Sequence, residues 1–191
     1  MFENASFVLI DKDNVGLAGR FSVNPDSCGN ASFYREYLQY SALSDLCSGR
    51  NTTHLFIDEA EGRIIGFVSL RASAFISSGS DGSMTGEPAI EVSVLAVDRD
   101  YERHGAGRLL IDYVITQAYE MHQNCIGVRY IVLAADKKAV GFYEHLSFSR
   151  IDDRWYRIPK ENWSEECVPM TLFLEFEKDY IETFVDDDDE E

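Results

Sequence analysis

The chain of 191 residues has the length of one domain, and 45% hydrophobic residues suffice for a core. Its formal net charge of −17 argues against a general polyanion-binding surface and against binding to anionic membranes. Six terminal acids, DDDDEE, contribute to this charge, but the remainder keeps 28 acidic against 17 basic residues, a net charge of −11. We therefore expect one domain over residues 1–185, a disordered acidic tail over residues 186–191, and small or cationic partners.

The N-terminal sequence and the cysteines bear on the cellular compartment. The first residues, MFENASFVLIDKDN, contain acids and no basic segment, which argues against a secretory signal. No hydrophobic run approaches the length of a membrane span. We therefore expect a cytoplasmic protein without a membrane partner. The wide spacing of the four cysteines predicts reduced thiols, with neither a disulfide framework nor a metal site. These cysteines are Cys28, Cys47, Cys125 and Cys167.

The first half of the chain predicts a helix followed by a β-hairpin. Aromatic residues and leucines recur at roughly helical spacing over Phe33–Cys47. Apolar stretches then predict strands at Thr53–Asp58 and Ile64–Phe75, joined by a short turn. The next stretch, Ser77–Gly86, has no hydrophobic pattern and predicts a flexible loop.

The second half predicts a βαβ unit. Ala89–Val97 is nearly all apolar and predicts a central strand. Gly107–His122 has an apolar helical face that includes Leu109 and Met121, and Tyr130–Ala134 predicts a buried strand. The remaining elements are a short helix at Lys137–Leu146, a strand at Phe148–Ile151, an irregular connection at Trp155–Val168 and a strand at Met170–Phe176. This order predicts a mixed sheet.

A glycine-containing turn, DYERHGAGRLL at Asp100–Leu110, joins the predicted central strand to the helix. Such turns bind phosphate, because N–H groups point outward at a helix N-terminus and glycine lets the ligand approach the backbone. Arg103, His104 and Arg108 add positive charge. Leu110 stands where a dinucleotide-binding GxGxxG needs its third glycine, and the GK[ST] of a Walker loop is absent. A tight turn without a ligand is the alternative.

Several motifs in order resemble the GNAT superfamily of acyl-CoA N-acyltransferases over Ile64–Ile151. The segment ERHGAG, Glu102–Gly107, is similar to the family's pyrophosphate loop, Q/R-x-x-G-x-G/A, with Glu102 in place of Gln or Arg. The segment YIVLAADKKAVGFYEHLSF, Tyr130–Phe148, resembles a strand, a short helix and an AxxFYxxxGF-type stretch of the family, with Ser147 where Gly is common. The resemblance implies an α+β fold: a mixed, mostly antiparallel central sheet flanked by helices, with a βαβ core that binds acyl-CoA.

The resemblance also implies an activity. Members of the family transfer an acetyl group from acetyl-CoA directly to a primary amine, here one of a small molecule or a protein. The central strand would hydrogen-bond the pantetheine arm through its main chain, and the glycine turn would hold the pyrophosphate. The implied cofactor-binding residues are Leu95, Ala96, Val97, Arg103, His104, Gly105, Ala106, Gly107, Arg108, Leu109 and Phe142.

Two residues are candidate catalytic groups. Tyr143 in GFYEHL matches the tyrosine that family members often use to protonate the departing sulfur, and the ordinary pKa of a phenol, about 10, is near that of a thiol. The alternative is a packed helix aromatic. Glu91 interrupts an apolar strand, where burial of a carboxylate is costly. A strand glutamate at this offset serves as the base in the histone-acetylating branch of the family. The alternatives are an acid that faces solvent or one that binds a cationic amine.

The longer motifs are most similar to a bacterial branch that includes toxins acetylating the amino group of aminoacyl-tRNA. These motifs are SALSDL, IIGFVSLRASAF, LAVDRDY and GVRYIVLAADKKAVGFYEHLSF. A tRNA partner needs positive surface, which the overall acidity disfavours, although Arg129–Lys160 is locally basic and holds Trp155 and Tyr156. Three hypotheses follow: an N-acetyltransferase for a small or protein amine, a toxin-like enzyme for aminoacyl-tRNA, and a non-catalytic acyl-CoA-binding module. The sequence leaves open whether the protein forms a homodimer.

Overall fold

A computed structural model describes residues 2–28, 30–78, 81–151 and 167–176 of the chain. Within these ranges, seven strands form one sheet with the order β1-β2-β3-β4-β5-β7-β6. The strands are β1 (Ala5–Leu9), β2 (Thr52–Asp58), β3 (Arg63–Ser78), β4 (Met84–Val97), β5 (Tyr130–Asp136), β6 (Ser149–Arg150) and β7 (Cys167–Phe173). The α-helices are α1 (Ala31–Glu36), α2 (Ala42–Cys47), α3 (Ala106–Asn124) and α4 (Val140–His145).

The sheet is mostly antiparallel, as expected. In the described part of the chain, β4 and β5 form the one parallel pair, and every other neighbouring pair is antiparallel. The chain leaves β4, runs through α3 and returns in β5, because parallel neighbours need a crossover connection. The predicted α+β fold with a central βαβ unit is therefore confirmed.

The predicted first helix is interrupted. It begins with α1, passes through a π-helical turn at Tyr37–Ser41 and continues as α2. Tyr37 and Leu38 are buried at this turn, and the ring of Tyr37 stacks on that of Phe67 in β3 at 6.1 Å between centroids. The wider turn lets both side chains reach the sheet, and the helical spacing of the sequence does not reveal it.

The prediction of a flexible loop at Ser77–Gly86 is wrong where the structure describes this stretch. β3 continues to Ser78 and β4 begins at Met84, and the pairs Ser77–Thr85 and Ser78–Met84 extend the hairpin. Backbone hydrogen bonds hold these pairs, so no hydrophobic pattern is needed. Residues 152–166, which hold most of the predicted irregular connection, and the predicted acidic tail lie outside the described residues.

Two apolar layers cover the faces of the sheet. α3 packs on one face through buried residues that include Leu110, Val114 and Ala118. Leu109 and Met121, which the sequence placed on the same helical face, are 37% and 39% exposed. The opposite face carries a second cluster that includes Phe21, Leu38, Leu55, Phe67 and Ala96. Among the described helices, none combines the length and the apolar character of a membrane span.

Candidate active site

β4 and β5 pair along only part of their length. Their parallel register covers Ala89–Val92 against Tyr130–Leu133. Beyond this point, Ala134–Asp136 of β5 pairs with β7 alone, and among the described strands only β3 pairs with Ser93–Val97 of β4. The gap between these two stretches is called the wedge below. Every second residue along a strand turns its N–H and C=O groups to the same side, so β4 offers unpaired backbone groups to the wedge. The predicted Leu95, Ala96 and Val97 lie on this edge.

A β-bulge marks the point where the wedge opens. In β3, Ser69 pairs with Val94 and Leu70 pairs with Val92, so Ser93 is the extra residue in β4. The Ser93 hydroxyl lies 3.1 Å from the Ser69 carbonyl oxygen and 3.0 Å from Oδ1 of Asn51. The extra residue reverses the alternation of side chains along β4. Before the bulge, Ile90 and Val92 join the cluster under α3, and after it Leu95 and Val97 do so.

The glycine turn leads from the wide end of the wedge into α3. Gly105 has a φ of 89° and Arg103 a φ of 62°, so both lie in the left-handed region that favours glycine. α3 begins at Ala106 without a side-chain cap, and the first intrahelical bond runs from the Leu109 N–H to the Gly105 carbonyl. The preceding N–H groups of the first turn therefore have no intrahelical acceptor. This geometry suits a phosphate at the positive end of a 19-residue helix.

Phe142 in α4 closes the other side of the turn. A Cβ at Gly107 would lie 3.2 Å from Cζ of Phe142 and 3.7 Å from Cγ2 of Val97. The start of α3, the end of β4 and α4 thus meet at Gly107, where a side chain would fit tightly against Phe142. Among the predicted basic groups, Arg103 and His104 are exposed on the turn. Arg108 is also exposed and lies 3.6 Å from the carboxylate of Asp112, one helical turn further along α3.

Tyr143 is buried, with 7% of its surface exposed. Its ring packs edge-on against Phe142 and Phe148, at centroid distances of 5.0 and 5.5 Å. Burial raises the pKa of the Tyr143 phenol well above its ordinary value, and nearby Tyr34 raises it further. The phenol is therefore protonated at neutral pH and can only donate or share its proton.

Tyr34 in α1 is a neighbour that the sequence analysis missed. Burial raises the pKa of its phenol to about 12, and the charges of Cys28, Asp136 and Cys167 contribute to the shift. Asp136 ends β5, so the charge at the end of this strand acts on Tyr34 in α1. The sequence contains Tyr34 within a helical run of aromatics, and this pattern gives no sign that one of them is close enough to influence the pKa of Tyr143.

Glu91 is buried, with 5% of its surface exposed. Its direct partner in β3 is Arg71, whose Nη2 lies 2.5 Å from Oε1, and the Ser73 hydroxyl donates to Oε2 at 3.2 Å. Ile90 and Val92 join the cluster under α3, so Glu91 faces the opposite side of the sheet. Tyr143 packs in the cluster under α3. The structure therefore places Tyr143 beside Phe142 in the cluster under α3, but it directs Glu91 to the opposite side of the sheet.

The basic stretch Arg129–Lys160 is only partly described. Arg129 is 3.1 Å from Glu87, Arg150 is 2.9 Å from Glu144, and Lys138 donates to the Asp26 carbonyl at 3.1 Å. Trp155 and Tyr156 lie outside the described residues. Within the described ranges, no three side chains of His, Cys, Asp and Glu lie together as a metal site.

Sequence comparison identifies relatives of known activity. The chain matches the family described as "Acetyltransferase (GNAT) family" over residues 18–148. It is also 30% identical over 79 residues to the [Ribosomal protein bS18]-alanine N-acetyltransferase of Escherichia coli K12. That match covers 41% of this chain and 51% of the relative, so the chain spans about half the length of the curated relatives it matches.

Solved structures resemble the fold over most of the chain. AtaT complexed with acetyl-methionyl-tRNAfMet has a TM-score of 0.66 at 17% identity, covering 94% of this chain and 98% of AtaT. AtaTR bound with AcCoA has a TM-score of 0.63 at 16% identity, covering 90% of this chain and 94% of the solved chain. At these identities the likeness concerns the fold. The family match extends over more than half of the chain, and the chain therefore belongs to the acetyltransferase (GNAT) family.

Proposed function

We propose that this protein is an acetyl-CoA-dependent N-acetyltransferase that acts on a primary amine of a small molecule or protein by direct transfer. The observation that carries the proposal is the wedge. The wedge combines an open edge at Leu95–Val97 with the uncapped start of α3 at its wide end, and we assign the buried phenol of Tyr143 to the same cleft. Family membership and relatives whose names specify N-acetyltransfer support it.

The donor is assigned to the wedge and to the glycine turn. Acetyl-CoA supplies the acyl group as a thioester. The backbone N–H and C=O groups of Leu95 and Val97, which face away from β3, can bind an extended amide-containing arm as a neighbouring strand would. The N–H groups of Ala106, Gly107 and Arg108 can hold the pyrophosphate, because they lie at the positive end of α3. Arg103 and His104 would contact the phosphates, and Phe142 and Leu109 would contact the apolar part of the donor.

Tyr143 is assigned to the departing sulfur. In the transfer, the neutral amine nitrogen forms a bond to the carbonyl carbon, the carbon–sulfur bond breaks, the sulfur takes the proton of the Tyr143 phenol, and the proton that the nitrogen loses returns to the phenolate. A phenol held protonated by burial donates a hydrogen bond to the developing thiolate, and this bond is strong where water is excluded. Held in place by Phe142 and Phe148, the hydroxyl needs no reorientation during the reaction.

Glu91 is assigned to the acceptor. Its carboxylate is buried and ion-paired with Arg71, so it would orient an amine mainly by accepting a hydrogen bond. Both of its oxygens already accept hydrogen bonds, from Arg71 and from Ser73. These hydrogen bonds favour a role of Glu91 in attracting or orienting the amine. The role of general base is the second one that we assign to it. Where Glu91 only orients the amine, a water molecule would carry the amine proton to the phenolate.

The acceptor is the open part of the proposal. A protein amine is favoured, because the name of the curated relative specifies an alanine of a ribosomal protein. Aminoacyl-tRNA is the second candidate, since a structural neighbour was solved with acetyl-methionyl-tRNAfMet. However, Arg129 and Arg150 are paired with acids, which leaves less positive charge for a phosphate backbone. A non-catalytic acyl-CoA-binding module is the third candidate, and the retained Tyr143 argues against it.

The test is thiol release from acetyl-CoA across an acceptor panel. The panel contains a peptide with an N-terminal alanine, small primary amines and aminoacyl-tRNA. We expect turnover with the peptide or a small amine. Turnover with aminoacyl-tRNA alone would support the toxin-like candidate. Tight binding of CoA without turnover of any acceptor would support the non-catalytic module. No binding of acetyl-CoA would overturn the proposal.

A further inference from the structure

A short segment before α1 bridges the two sides of the wedge. This segment, Asn24–Cys28, is called the clasp. The Ser27 hydroxyl donates to Oε2 of Glu102 at 2.9 Å, and Nζ of Lys138 donates to the Asp26 carbonyl at 3.1 Å. Glu102 belongs to the turn between β4 and α3, whereas Lys138 lies between β5 and α4. The clasp therefore crosses the end of the wedge where the two strands are furthest apart.

The clasp is an ordered turn with a firm attachment at its start. The Ser27 N–H donates to the Asn24 carbonyl at 2.9 Å, and the Asp26 N–H donates to the Asn24 side chain at 3.0 Å. Just before the clasp, the Ser22 N–H donates to Oδ2 of Asp98 at 2.9 Å. Asp98 ends β4 and is 1% exposed, so this bond joins the start of the segment to the sheet. The hydrogen bond from Ser27 to Glu102, further along the segment, then fixes the position of the clasp over the wedge.

Cys28, at the end of the clasp, confirms which groups surround it. The thiol is 8% exposed, and its pKa is raised, mainly by burial. The charges that act on it come from both sides of the wedge, from Glu102 on one side and from Asp136 and Lys138 on the other. The clasp thus lies between the glycine turn and the end of β5.

We propose that Glu102 is a positioning residue for donor binding, which holds the clasp across the wide end of the wedge through the hydroxyl of Ser27. The clasp then forms a wall of the cleft, and the arm of the donor packs between it and β4. This assigns a task to the residue at which the glycine turn departs from the pattern of its family. The inference rests on the proposed function, because it concerns the same acetyl-CoA site.

The test compares four variants for acetyl-CoA affinity and turnover. Ser27→Ala and Glu102→Ala each remove the bond between the clasp and the turn, and we expect each to raise the Kd and KM for acetyl-CoA about fivefold while kcat stays within about twofold. Glu102→Gln keeps an acceptor oxygen and loses the same negative charge as Glu102→Ala, so it is the reference for that variant and should bind acetyl-CoA at least as tightly as the wild type. Ser32→Ala is the matched control, since its hydroxyl bonds only the neighbouring Asn30 among the described residues.

The double variant Ser27→Ala/Glu102→Ala separates this bond from other effects. If the bond is the cause, the double variant is no weaker than either single variant. Wild-type affinity in Ser27→Ala, or additive losses in the double variant, would overturn the inference while the proposed function stands. If the wild-type protein itself does not bind acetyl-CoA in calorimetry, the proposed function fails and the inference fails with it. Should Glu102→Ala not fold, Ser27→Ala and its conservative rescue by Ser27→Thr decide the question.

Discussion

The two halves of β4 differ although one strand contains both. From Ala89 to Val92, the strand pairs with β3 on one side and β5 on the other, and it buries Glu91 in an ion pair with Arg71. From Ser93 to Val97, the strand still runs beside β3 but no longer pairs with β5. The first half has both edges satisfied, and the second half has unpaired backbone groups in a largely apolar setting.

This difference teaches that the candidate site is made by an interruption of regular structure. An unpaired buried backbone group costs free energy unless a ligand or water satisfies it. A donor with amide groups removes that cost when it binds. The closed half of the strand keeps the open half rigid, so the groups are held in position before the donor arrives.

The largest effect is expected at the open half, for Tyr143→Phe. The substitution keeps the ring packing against Phe142 and Phe148 and removes one hydroxyl. If the phenol assists the departing sulfur, kcat falls about 100-fold while the KM for acetyl-CoA changes little. Steady-state kinetics with the best acceptor of the panel measures this. A thermal unfolding midpoint equal to that of the wild type serves as the control for folding, and a wild-type kcat would refute the assignment of Tyr143.

The next effect concerns the side of the open half that still pairs with β3. A Cβ at Gly66 would lie 2.9 Å from the Ala96 carbonyl oxygen and 2.9 Å from Cδ1 of Leu110. Both are closer than packed atoms tolerate, so Gly66→Ala forces β3, β4 and α3 apart. We expect the free energy of unfolding to fall by about 2 kcal/mol. Urea denaturation measures the change, and an unchanged midpoint would mean that β4 and α3 adjust freely here.

A smaller effect on donor binding is expected for Gly107→Ala. The new Cβ would press on Phe142 at 3.2 Å, between the turn and α4. Displacement of either element should raise the KM for acetyl-CoA about tenfold, with a smaller change in unfolding free energy. Gly141→Ala is the matched control, because its Cβ would meet no atom within 4 Å and α4 favours alanine. Equal KM values for the two variants would contradict the placement of the donor at Gly107.

Some parts of the fold can be predicted from the sequence alone. Continuous apolar runs such as Ala89–Val97 identify the central strands, and the glycine turn identifies the start of α3. The sequence does not predict the bulge at Ser93, because a serine can occur in an apolar strand whether or not it pairs with a residue of the neighbouring strand. The hairpin beyond Phe75 is held by backbone bonds that leave no side-chain pattern. The contact of Ser27 with Glu102 joins residues 75 positions apart, and no local signal encodes it.

The smallest expected effect concerns Tyr34 in α1, through the alkaline pH dependence of the free energy of unfolding. The pKa of Tyr34 is raised to about 12, mainly by burial. Below pH 10 the phenol is protonated in both the folded and the unfolded state, so its full contribution to the free energy of unfolding is present. Between pH 10 and about 12 the unfolded chain loses the proton first, and the free energy of unfolding falls by up to about 1.4 kcal/mol per pH unit.

Tyr34→Phe should make this slope shallower, because buried Tyr143 still contributes to it, whereas Tyr40→Phe should keep the wild-type slope, because Tyr40 is 77% exposed. Urea denaturation at pH 8, 10 and 11 compares the two variants, whose other titrating groups are the same. Equal slopes in both variants would mean that the phenol of Tyr34 is accessible to water, contrary to the burial that raises its pKa.

The order of strands at the far edge of the sheet has a consequence for synthesis. β7 inserts between β5 and β6, although it follows both in the chain. A ribosome that adds about 5–20 residues per second therefore releases β5 seconds before the strand that covers its outer edge exists. During that interval β5 has an unpaired edge, which is prone to association with other chains. A chaperone that protects extended apolar segments would be needed most in the period between the emergence of Asp136 and that of Cys167.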